Sequence, residues 1–178
     1  MKNIGAIFGV VTILAVLCLM TTNAQAARLD LETRSLKGIA GVYVVVEAPA
    51  PDLLADGLSD KALESMINER LTAAGINTLS ENDLSKPGGA IFYVSISSVK
   101  SKSGQYACNI HAEVIQAASL SRDPNILTPA TTWNSSTMGV MGSATVSKLN
   151  ESVADITDEF IRDFLSMNAR PVIKPKIA

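Results

Sequence analysis

Beyond residue 26 this chain holds one cysteine, Cys108, and one histidine, His111. A single cysteine excludes an internal disulfide. In an oxidising compartment, a lone thiol is either buried or paired between chains. One histidine and one cysteine fall short of a zinc site, which needs three or four ligands at suitable spacing. The strings G-x-S-x-G and H-E-x-x-H do not occur, which removes two familiar hydrolase signatures. A calcium loop gathers Asp and Asn around a glycine and ends on Glu. "SENDLSKPGG" has two acids and no such spacing. The net charge of −2 is too small to select nucleic acid or an anionic membrane as a partner. The residues therefore predict no enzyme, no metal and no cofactor.

What is present starts with a leader. Lys2 precedes an apolar run from Ile4 to Met20, followed by Ala24, Gln25 and Ala26. A basic start, an apolar core and a small-x-small site predict a signal peptide over 1–26, cut before Ala27. That places the mature chain in the periplasm or outside the cell. The alternative is an uncleaved anchor, at the short edge of what spans a bilayer. Membrane contact would then run only through this segment. Cys18 follows "AVL" rather than a small residue, so no lipobox is formed. Cleavage leaves residues 27–178, with 14 basic and 17 acidic side chains once Lys2 is gone. That is one domain, large enough to bury a core.

"LKGIAGVYVVVEAP", 36–49, is apolar on both faces, the pattern of a central strand covered on both sides. "APAPD" breaks it, since prolines cannot continue a ladder. Over 59–75, Leu63, Met66, Ile67, Leu71 and Ala74 recur at helical spacing, Ser59 is a fair N-cap, and Gly75 followed by Ile76 suits a left-handed stop. "ENDLSKPGG" reads as a loop. Segments 90–99 and 105–120 alternate as strands around the turn "KSKSG". A further strand, 131–140, follows the turn "SRDPN". Over 150–168, Val153, Ile156, Phe160 and Phe164 form an apolar stripe that Ile161 and Leu165 widen. Asn150 is the expected cap and Glu151 suits the first turn. The tail 169–178 is basic, interrupted by proline, and expected to be loose. The predicted fold is a two-layer α+β domain over 27–168. It has about four mostly antiparallel strands and two amphipathic helices, in the order β-α-β-β-β-α.

Cys108 and His111 share "YACNIHAEVIQ", and a helix would bring them onto one face. The pattern there has period two instead. Tyr106, Cys108, Ile110, Ala112 and Val114 form an apolar set, and Asn109, His111 and Glu113 a polar one. An odd offset puts the thiol and the imidazole on opposite faces of a strand, which forbids Cys–His catalysis. Pairing Val99 with Gln105 sets Cys108 opposite Ile96 and His111 opposite Tyr93, keeping one face apolar.

Other strings weigh little. "SSVK", 97–100, matches Ser-x-x-Lys, but in a strand Ser97 and Lys100 face opposite ways. "GVMGS", 139–143, lacks the Lys-Ser/Thr ending of a phosphate loop and reads as a tight connection. Two features suggest partner binding. Glu151, Asp155, Glu159 and Asp163, spaced four apart, make an acidic stripe, at a cost of about 0.2–0.5 kcal/mol per pair. The stripe is either a solvated face or a dock for a basic partner. Trp133 is either packed against a helix or an anchor on an edge strand.

The order of elements, with the phrases "AAGINTL", "AIFYVSISSV", "ACNIHAEVIQAASL" and "TTW", resembles a group of small bacterial envelope domains. It is similar to the N-terminal domain of the Tol translocation periplasmic protein. Similar layouts occur in the curli-secretion channel protein, the lipopolysaccharide-assembly lipoprotein and auxiliary lipoproteins of envelope transporters. The resemblance spans about residues 36–168 and carries over no functional residue. It implies a non-enzymatic module that binds an envelope protein or helps assemble envelope machinery. The other readings are a carrier of a small apolar or lipid ligand, and a hydrolase with an unrecognised site.

Overall fold

Period-two alternation in four segments makes one sheet. A computed structural model describes residues 31–168. The expected signal segment, its cleavage site and the basic tail lie outside the described residues. The strands are β1 (Gly41–Val46), β2 (Gly89–Lys100), β3 (Gln105–Leu120) and β4 (Asp123–Gly142), in spatial order β1-β2-β3-β4. β1 runs parallel to β2, and the other two pairs are antiparallel. The helices are α1 (Pro51–Ala55), α2 (Asp60–Ala73) and α3 (Lys148–Asn168). Residues 31–35 are also helical. The class is α+β, as predicted.

One sheet face carries the core. Val42, Val44, Ala90, Phe92, Val94, Ile96, Cys108, Ile110, Ala112, Val114 and Trp133 are buried there beneath α2 and α3. Helix α2 contributes Leu63, Ile67 and Leu71, and α3 contributes Leu149, Val153, Ile156, Phe160 and Phe164. Phe160 is the centre of an aromatic group. Its ring stacks on Phe92 at 4.7 Å and meets the edge of Trp133 at 5.4 Å. Ile161 is half-buried and Leu165 is exposed, so the stripe on α3 is narrower than its sequence suggests.

The caps explain the helix bounds. The Ser59 side chain accepts from the Ala62 N–H at the start of α2. At its end Gly75 sits at φ 77°, where any side chain is strained. The Ile76 N–H then donates to Leu71 and the Gly75 N–H to Thr72, a paired closure that buries Ile76. Pro51 starts α1 rather than merely breaking the chain, because the first turn of a helix needs no donor there. Tyr106 holds α1 onto the sheet: its buried hydroxyl donates to Asp56 at 2.6 Å, and Lys100 pairs with the same carboxylate at 3.0 Å. The hydroxyl, and then Lys100, hold the Asp56 carboxyl below its usual range.

Four local expectations are corrected. β1 is an outer strand, not a central one covered on both sides. Its second face bears Tyr43 and Val45, which are only half-buried, and its outer edge is closed by residues 77–79. The β2–β3 hairpin is slipped by two residues: Lys100 pairs with Tyr106 and Ser98 with Cys108. An even slip preserves both faces, so the thiol and the imidazole still point apart. β4 is twice the expected length and absorbs Gly139 and Gly142, which therefore form no tight connection before the last helix. Helix α3 begins at Lys148, which puts Asn150 inside it rather than at its cap.

Candidate interaction surface

Helices cover one face of the sheet, and the other is free of a second layer among the described residues. Register arranges this open face in rows across the strands. Tyr43, Ile91 and Ile115 form one row, and Val45, Tyr93, Glu113 and Asn134 the next. Ser95, His111 and Ser136 follow, then Ser97, Asn109 and Met138, then Val99, Ala107 and Val140. A polar band therefore crosses the middle, between two apolar ends.

The band is internally bonded. The Tyr93 hydroxyl donates to Glu47 at 2.6 Å, and that bond raises the phenol to about 12. The Thr131 hydroxyl donates to Glu113, whose carboxylate lies 3.9 Å from His111 Nε2. Cys108 is 5% exposed on the opposite face, and burial pushes its thiol up. Thiolate chemistry needs the reverse shift. Among the described residues, no three His, Cys, Asp or Glu side chains gather to hold a metal.

The apolar end beyond the band is strongly exposed. Val99, Met138 and Val140 are 73%, 82% and 72% exposed. They form one corner of the sheet with Ala107, where an apolar hollow of about 470 Å³ opens. Contiguous exposed apolar surface marks contact sites more often than scattered residues do. The sequence did not reveal this corner, because Met138 and Val140 sit at the end of the segment read as a strand over 131–140, with no partner assigned to it. Only the length of β4 and the register with β3 place them beside Val99.

The predicted partner-binding residues divide into two groups. Glu151 and Asp155 are exposed on the first half of α3. Glu159 accepts from the Ser135 hydroxyl at 2.7 Å, and Asp163 accepts from the Trp133 indole at 2.9 Å. These two carboxylates tie α3 to β4 rather than extending a free acidic stripe. Trp133 is 2% exposed, so its ring is core and its N–H serves α3. A stripe periodicity cannot reveal which of its members meet a neighbouring strand.

No protein-family model and no curated protein matches the sequence. Among solved structures, the chain is similar to a minor lipoprotein from Acinetobacter baumannii, with 14% identity and a TM-score of 0.34, over 76% of this chain and 99% of that one.

Proposed function

We propose that the chain is a non-enzymatic binding or assembly module of the bacterial cell envelope, acting in the periplasm through contacts with another envelope protein. The observation that carries this reading is the uncovered corner of Val99, Ala107, Met138 and Val140. A chain with an apolar contact corner, and with Cys108 and His111 on opposite faces of its sheet, is suited to holding a partner.

The test is site-specific photocrosslinking in a bacterial periplasm. A crosslinker at Val99 or Ala107 should trap a discrete envelope protein. The same group at Lys61 or Glu64, on the exposed side of α2, should trap none. Equal trapping at all four positions, or none at any, would remove the reading.

A further inference from the structure

Beyond residue 26 the chain carries five sulfur-bearing side chains: Met66, Cys108, Met138, Met141 and Met167. The fold treats them unequally. Cys108 is buried in the core. Met66 and Met141 are half-buried and pack against that core. Met167, in the last turn of α3, is half-buried as well. Met138 is 82% exposed. Alternation makes the contrast between the two methionines of β4. They are separated by an odd offset, which turns their side chains to opposite faces. Met141 pairs with Tyr106 on the covered face, and Met138 with Asn109 on the open one.

The surroundings of Met138 cannot shield its sulfur. Its row across the open face is Ser97, Asn109 and Met138, and its neighbours along the same face of β4 are Ser136 and Val140. All four of these side chains are shorter than methionine. On its other side no described strand lies beyond β4. Methionine is unbranched and carries its thioether on rotatable bonds. The sulfur therefore stands above its neighbours, at the rim of the hollow that Val99, Ala107 and Val140 line. An exposed thioether is open to oxidation, and the product is polar where the side chain was apolar.

We infer that Met138 is an oxidation site for hydroperoxides, and that its sulfoxide closes the apolar corner to a partner. The reaction is a two-electron oxygen transfer. A sulfur lone pair attacks one peroxide oxygen, so that the S–O bond forms as the O–O bond breaks. The departing oxygen keeps the electron pair of that bond. It takes up the proton carried by the transferred oxygen and leaves as water or an alcohol. Sulfur is oxidised by two electrons and the peroxide is reduced by two. The step asks for access to the sulfur, which Met138 has. Oxidation of a cysteine follows thiolate character and exposure instead, and buried Cys108 does not compete. The new oxygen is a hydrogen-bond acceptor set among apolar side chains. Val99, Ala107 and Val140 offer it no donor, so covering it with an apolar partner surface strips its water without replacement. A seated partner shields the sulfur in turn, so binding and oxidation oppose each other. The consequence for binding rests on the reading of this corner as a contact surface. The oxidation itself does not.

Peptide mapping by mass spectrometry, after brief treatment of the folded chain with hydrogen peroxide, tests the site. Met138 should gain an oxygen before Met66, Met141 or Met167 does. That order should vanish when the chain is first unfolded in urea. The consequence is read at Ala107. A photocrosslinker there should lose its trapped envelope protein once Met138 is oxidised, and should keep it through the same treatment in Met138→Leu. Equal oxidation of Met138 and Met141 in the folded chain overturns the inference. So does trapping that survives the sulfoxide, or trapping that peroxide abolishes in Met138→Leu as well. A crosslinker at Ala107 that traps nothing even without peroxide sinks the envelope-partner reading, and with it the consequence for binding, while the peptide map still decides the oxidation site.

Discussion

The two faces of the sheet are made by the same strands, residue by residue in alternation, yet they live in different solvents. Phe92 is fully buried under Phe160, while its neighbour Tyr93 reaches out to Glu47. Cys108 is core, while Ala107 and Asn109 line the open hollow. The difference teaches that stability and contact surface are separable here. One face is held by helices α2 and α3, and the other is left to side-chain bonds and water.

The sharpest way to break that comparison is to damage the covered face. Phe160→Ala should cost about 3–5 kcal/mol, read by urea unfolding, because the vacated space lies between Phe92, Trp133 and Phe164. A loss under about 1 kcal/mol would mean that the aromatic group is not what holds α3 down. Asp163→Ala should cost about 1–3 kcal/mol, since it leaves the indole N–H of Trp133 without its acceptor. Asp163→Asn keeps an acceptor oxygen and should lose less.

Cys108 sharpens the comparison without changing stability. Its thiol should resist alkylation in the native protein and react on unfolding, and fast native labelling would show that the covered face is open. On the other face, the effect lies in pH. Tyr93 is raised to about 12 by its bond to Glu47, against about 10 for an unfolded tyrosine. Between those values the native state holds a proton that the unfolded state has lost. The bond's contribution is therefore complete below pH 10 and is lost as pH rises through 12. Glu47→Leu should bring the Tyr93 titration, followed by ultraviolet absorbance, back toward 10. The smallest effect belongs to Val99→Ser, which should stay within about 0.5 kcal/mol of wild type at an exposed site. A larger loss would mean that the open face also carries stability.

The part of this fold legible in the sequence was the part governed by local period. The alternation at 105–120 placed Cys108 inside and His111 outside, and the two-residue slip of the hairpin left that unchanged. Gly75 and Ile76 announced the end of α2 because only a left-handed residue closes a helix in that way. The candidate surface was less visible. The acidic residues were evident as a row, but their row hid a division: Glu159 and Asp163 are spent on Ser135 and Trp133, while Glu151 and Asp155 are not. That division depends on where α3 crosses β4, which no spacing along α3 encodes.

By itself, the sequence determined which residues share a strand face, where α2 stops, and that Cys108 and His111 point apart, because these follow from backbone geometry a few residues long. Tertiary structure alone decided that β1 stands at an edge, that Trp133 belongs to the core, and that Val99 meets Met138 and Val140 in one corner. Those outcomes join segments far apart in the sequence, Trp133 with Phe160 and Val99 with Met138 among them, and such pairings are chosen by register and by the competition for burial.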